Sequence, residues 1–134
     1  MRRAKFRYVE IRTMEEKDVI FAEFTHDLRV DLAVAREIVD CRMIFTENKP
    51  HYAVIDMSNI THVDADARDF MQHPEGGLRN LKASAFLAGN PIAALFANFF
   101  VKVPKDFPAR FFHLKSDALD WLLTFRANQR GKEI

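Results

Sequence analysis

The stretch from Tyr52 to Phe70 constrains this chain more than any other. Tyr52–Ile55 is a short apolar run ending in two β-branched residues, with Pro50 just before it. Such a run suits a strand covered on both faces, in a sheet flanked by helices. Asp56 stands at its C-terminal end, where open α/β sheets place their binding crevice. Ser58 and Asn59 are residues that turn the backbone through side-chain hydrogen bonds. Ile60 and Val63 serve as apolar anchors of that turn. Asp64 then opens a helix, as a cap for its orphan amides, and Asp66 in the first turn suits the helix dipole.

The rest of the chain supplies partners for that strand. Phe6–Ile11 alternates in polarity and Val19–Phe24 is rich in β-branched and aromatic residues. The charged turn between them predicts an antiparallel hairpin at one edge of the sheet. Asp31 caps a helix reaching about Phe45. Val34, Ala35, Ile38, Cys41 and Phe45 form its apolar stripe, and Arg36, Glu37, Asp40 and Arg42 its polar side. His73–Gly77 breaks the helix that follows Asp64, and helix resumes over Leu78–Leu81. Lys82–Ala88 is a strand. Gly89-Asn90-Pro91 punctuates it and opens a helix over 91–102 that is apolar nearly all round. Ala109–Leu114 is a last strand. Ser116 caps a final helix with a core stripe of Ala118, Trp121, Leu122 and Phe125, fraying from Gln129 onward. The predicted class is α/β: a mixed sheet of about five strands flanked by helices, in the order β-β-α-β-α-β-α-β-α. At 134 residues, 49% of them hydrophobic and thirteen of them Phe, one domain spanning 1–134 has enough apolar material for a core.

Several function classes drop out on composition. The net charge is +1 and no Lys/Arg run exceeds two residues, so no nucleic-acid partner is expected. Cys41 is the only cysteine, which leaves no disulfide framework and no cysteine zinc site. No apolar run is long enough to span a bilayer, and no leader follows Arg2 and Arg3. A cytoplasmic location is the expectation. His62-x-Asp64-x-Asp66 contains ligand-type residues at a spacing common in loops, so neither a metal nor a cofactor is expected. Asp56, Asp64 and Asp66 have no nucleophile or oxyanion donor beside them. They are expected to act as turn acceptor and cap, with Asp64 bridging to Arg68 one turn on, and no catalytic residue is assigned. Ile92, Phe96, Phe99 and Phe100 on the 91–102 helix have three destinations: a thick core, a homodimer interface or the wall of an apolar ligand pocket. A homodimer through this face is expected.

The residues Ile55-Asp56-Met57-Ser58-Asn59-Ile60-Thr61-His62-Val63-Asp64 resemble the central signature of STAS domains, the anti-sigma-factor-antagonist fold. In that family a strand ending in Asp-Leu-Ser leads through an apolar turn to an Asp-Ser-Ser-Gly helix start. Arg110-Phe111-Phe112, with Ala118-x-x-Trp121-Leu122, resembles the end of the related SpoIIAA-like (STAS/CRAL-TRIO-type) proteins. The resemblance implies a non-catalytic regulatory or protein-interaction module. Its partner would be a regulatory protein docked around Ser58, Asp64, Asp66 and Arg68. It also implies an alternative, a carrier of lipid or another small apolar ligand. One departure stands out. Asp66 occupies the place of the family's phosphoacceptor Ser, so the usual phosphorylation switch is not expected at that position.

Overall fold

In a computed structural model of the chain, residues 2–88 and 104–132 are described. The Gly89-Asn90-Pro91 signal and the helix expected over 91–102, with Ile92, Phe96, Phe99 and Phe100, lie outside the described residues. The elements in order are β1 (Arg3–Lys5), β2 (Val9–Thr13), β3 (Val19–Phe24), β4 (Leu28–Val30), α1 (Leu32–Thr46), β5 (His51–Asp56), β6 (Ile60–Val63), α2 (Ala65–Met71), β7 (Leu81–Leu87), β8 (Ala109–Phe112) and α3 (Lys115–Lys132).

Six strands form one mixed sheet in the order β1-β2-β3-β5-β7-β8. β1, β2 and β3 pair antiparallel, as the hairpin signal predicts, and β3, β5, β7 and β8 pair parallel. The central strand is covered on both sides, as its unbroken apolar run requires. Ala53 and Ile55 face a core made with Ala35, Ile38 and Phe45 of α1 and Ala67 of α2. Tyr52 and Val54 face the opposite core, closed by Ala118 and Leu122 of α3. Asp31 caps α1 as expected, its Oδ1 accepting from the Val34 amide at 2.8 Å. Cys41 is buried in the α1 stripe, where burial first, and then Glu37 and Asp40, push its thiol pKa up and keep it inert.

The sheet is larger than the five strands expected. The Phe6 amide bonds the Val9 carbonyl at 2.8 Å, and this tight turn takes residues 6–8 out of the predicted Phe6–Ile11 strand, which starts at Val9 as β2, with β1 added before the turn. A second sheet of two strands, β4 with β6, lies outside the main one. Ile60–Val63 is therefore extended and paired, not merely a turn. Segment 73–80 is a series of turns instead of resumed helix. It packs so closely on the end of α2 that a Cβ on Gly76 or Gly77 would overlap the carbonyl of Phe70 or Met71. Ser116 lies inside α3 and does not cap it, because the Ala118 amide already bonds Leu114 O at 3.1 Å. The helix also continues past Gln129 to Lys132. Arg126 ties it to the β2–β3 turn: its Nε donates to both oxygens of Asp18 at 2.9 Å and its Nη2 lies 3.4 Å from Glu16.

The largest correction concerns Arg42, read from sequence as part of the polar side of α1. It is 5% exposed. Arg42 sits four residues after Ile38 and seven after Ala35, which places it on the buried stripe. Its Nη1 donates to Arg79 O at 2.7 Å and its Nη2 to Gly77 O at 2.8 Å, clamping α1 to the turns after α2. Nη1 also lies 2.9 Å from His51 Nε2. A guanidinium only donates, so His51 Nε2 is the acceptor. The ring proton is then on Nδ1, donated to Lys49 O at 2.9 Å. Burial, and then the charge of Arg42, hold the His51 pKa down at about 4. Burial, then Arg79, lowers that of Arg42 to about 10, which leaves it charged at neutral pH.

This arrangement sets an acid limit. Above about pH 6.5 His51 is neutral in both folded and unfolded chains and contributes no pH dependence. Between about pH 6.5 and 4 the unfolded chain takes up the proton and the folded chain does not, so stability falls as pH falls. The loss is complete below the folded value and amounts to about 3 kcal/mol. Urea denaturation of wild type and His51→Gln across this range should show that slope only in wild type. Equal slopes would remove His51 as its source.

Candidate functional site

The site singled out by sequence lies at the C-terminal ends of β3 and β5, where the chain leaves the sheet. At the end of β5 the Asp56 carboxylate folds over the following turn. Its Oδ1 accepts from the Ser58 amide at 3.0 Å and from Ser58 Oγ at 2.6 Å. Asn59 donates to Phe24 O at 2.9 Å, fastening this turn to the end of β3, and its Oδ1 lies 3.0 Å from His26 Nδ1. The chain then runs as β6 beside β4, with Ile60 and Val30 turned into the core and Arg29 and His62 turned out. The ribbon delivers the chain to α2.

Here the carboxylates exchange the roles expected of them. Asp64 is the N-cap residue by position, but its side chain makes no capping bond. Its Oδ1 instead meets His62 Nε2 at 2.9 Å and Arg29 Nη2 at 3.4 Å. Asp66 takes the helix-start contact, its Oδ1 accepting from the Ala67 amide at 2.8 Å. The expected bridge from Asp64 to Arg68 is replaced by the Arg29 and His62 contacts, because β4 brings Arg29 alongside. Arg68 meets Asp64 through the backbone, its amide donating to Asp64 O at 2.9 Å. The structure thus brings Ser58 onto Asp56, and Asp64, Asp66 and Arg68 into the start of α2. Ser58 and Asp66 are exposed and Asp64 and Arg68 half-buried.

Chemically this is, among the described residues, a surface and not a cleft. Among the described residues no three His, Cys, Asp or Glu side chains converge as metal ligands. An apolar cavity lies beneath the ribbon, walled by Val30, Ile38, Ile55, Ile60 and Leu78 among others, but its volume is only about 30 Å³. None of Ser58, Asp64, Asp66 and Arg68 lines it.

Two features of the face were not anticipated. Arg29 was left out because a three-residue strand paired to another short strand leaves no periodic trace. Leu114 was read as the end of the last strand. It falls just beyond β8, which runs parallel to its neighbours and so ends at the same edge of the sheet as β5, and it is 60% exposed. No sequence signal separates an exposed Leu at a strand end from a buried one.

Comparison with known proteins supports the fold. A solved crystal structure of an uncharacterized protein from the DUF3478 family, with a SpoIIAA-like fold, from Shewanella loihica PV-4, matches at a TM-score of 0.54 and 19% identity. The match covers 89% of this chain and 97% of that one. The chain therefore has a SpoIIAA-like fold, as its motifs imply. The model of a protein family described as a domain of unknown function, DUF7793, matches residues 13–126. No curated protein matches.

The contacts of Asp64 are between exposed or half-exposed groups, where solvent weakens ion pairs to less than about 1 kcal/mol. Asp64→Ala should therefore lower the unfolding free energy by no more than that in urea titrations. A loss above about 2 kcal/mol would mean that Asp64 holds α2 in place and is not a surface group.

Proposed function

The chain belongs to the DUF7793 family, and we propose that it is a non-catalytic interaction module that docks a regulatory protein on its strand-end face. The observation that carries this reading is the state of the polar groups there. Ser58 is bonded to Asp56, and Asp64 to His62 and Arg29, all at the protein surface. Groups held by one another in fixed positions present a preformed charge pattern to a partner. A catalytic site needs a concavity that surrounds a substrate, and the polar residues named here line none of the cavities described. Leu114 supplies the exposed apolar contact at the same edge that a protein interface needs at its centre. The resemblance of this stretch to the STAS signature points the same way. In the resembling family the corresponding face is where partner recognition is switched.

Carriage of a lipid is the weaker reading. The apolar cavity beneath the ribbon, at about 30 Å³, compares with roughly 150 Å³ for an engineered cavity that takes benzene, and the wall expected from Ile92, Phe96, Phe99 and Phe100 lies outside the described residues. A homodimer through residues 91–102, as the sequence suggests, is a separate matter that light scattering of the purified chain decides.

The test is recognition by a purified partner. Immobilised wild type, Asp66→Lys and Leu114→Ala are exposed to lysate of the source organism. A protein retained by wild type is then purified and titrated against all three. Asp66→Lys should weaken binding at least tenfold while lowering the thermal midpoint by only the few degrees that loss of its helix-start contact costs. Equal affinity of the purified partner for wild type and both variants would place the interface elsewhere.

A further inference from the structure

A second cavity of the described residues lies at the other end of the sheet, away from the strand-end face. It is an open cleft of about 800 Å³ between the β2–β3 turn, Arg2 and the connection from α1 to β5. That is the size range of small-molecule sites. Ile20 and Phe45 close its floor but are only 1% and 2% exposed, so its accessible apolar surface comes from Met14 and Pro50.

Its charges are unequally committed. Of its acids, Asp18 is held by Arg126 at 2.8–2.9 Å and approached by Arg130 at 3.9 Å, neither of which lines the cleft. Burial opposes charge on Asp18, but the Arg126 hydrogen bonds win and hold its carboxyl below the usual range. Two acids remain, Glu15 and Glu47, against three cations, Arg2, Lys17 and Lys49. His51, also in the wall, is neutral. The imbalance is concentrated at Glu47, whose single carboxylate is shared by Arg2 at 3.6 Å and Lys49 at 3.3 Å. Arg2 is steered there by stacking 4.7 Å above the Phe45 ring and by donating to Phe45 O at 3.0 Å. Two cations around one carboxylate, next to the accessible apolar side chains of Met14 and Pro50, leave a place for a second carboxylate with an apolar body.

We infer that this cleft binds a small organic monoanion. Its carboxylate lies between Arg2 and Lys49, and its apolar part lies against Met14 and Pro50. The site is independent of the strand-end face, since none of its residues belongs to that face. The cations are exposed, so the affinity is modest and falls with added salt.

Amide-resolved NMR of the full chain tests this with phenylacetate and with its neutral counterpart phenylacetamide. Phenylacetate should give saturable shifts at Thr13, Thr46, Glu47 and Lys49, and phenylacetamide should bind about tenfold more weakly or not at all. Arg2→Ala and Lys49→Ala, both at exposed positions, should each reduce the phenylacetate affinity by several-fold while keeping the native spectrum. Equal binding of acid and amide overturns the charge assignment. Saturable shifts centred on the apolar cavity or on the strand-end face place the ligand elsewhere. Absence of saturation at millimolar phenylacetate and at millimolar octanoate removes the site.

Discussion

The burial of β5 on both faces is the constraint from which the rest of the fold follows. Ala53 and Val54 are wholly inaccessible, and they point in opposite directions. A strand in that position has no wet face, so layers must cover it above and below. Its parallel neighbours β3 and β7 cannot be reached by tight turns, so longer connections must cross the faces of the sheet. α1 joins β3 to β5 in this way and brings its apolar stripe onto one side, while α3 closes the other. The alternation of strand and helix along the sequence is the solution of this burial problem. One outcome is that the polar residues after Ile55 emerge together at one edge.

Two arginines show how the layers are fastened. Arg42 and Arg126 are 5% and 7% exposed, one on each side of the sheet, and they are neutralised differently. Arg126 has the carboxylate of Asp18. Arg42 has only carbonyls and the neutral ring of His51 among its described contacts. Carbonyl dipoles satisfy the donors of a buried cation without cancelling its charge, so this cluster tolerates no second charge beside it. That is why His51 must stay neutral. It is also why the turns after α2, which supply the two carbonyls, are held against α1 although they contain no regular structure.

Most of the architecture was legible because it rests on long periodic segments. The α1 stripe, the Val19–Phe24 and Tyr52–Ile55 strands and the α3 stripe each bury what their spacing says they should. What was missed is local and short. β4 and β6 have three and four residues, too few for a period to show, and each is extended only because the other lies beside it. Arg42 has the residue type of a wet face and the spacing of a buried one, and spacing prevails: four positions after Ile38 is the buried side whatever the residue. At the candidate site the residue positions were readable but the pairings were not. Asp64 as a cap and Asp64 with Arg68 are good local choices. Arg29, thirty-five residues earlier in the chain, displaces both. A non-local partner of that kind leaves no mark in the neighbourhood of the motif.

The acid at position 66 narrows how an interaction at this face would be controlled. A phosphorylated Ser gains about 1.5 to 2 negative charges and three acceptor oxygens, and loses them when the phosphate is removed. Asp66 carries one charge permanently, and one of its oxygens is already spent on the Ala67 amide. Its field at the start of α2 is therefore constant and weaker than that of a phosphate. A partner that reads it meets the same surface at all times, so the control of binding must come from the partner or from another part of the molecule. Around Asp66 the charges are mixed in sign, with Arg29 on Asp64 and Arg68 two residues on. Exposed charges of both signs orient a partner more than they hold it. The holding force has to come from apolar contact, and Leu114 is the large exposed apolar side chain at that edge among the described residues. On the proposed reading, the acidic helix start selects the partner and Leu114 retains it.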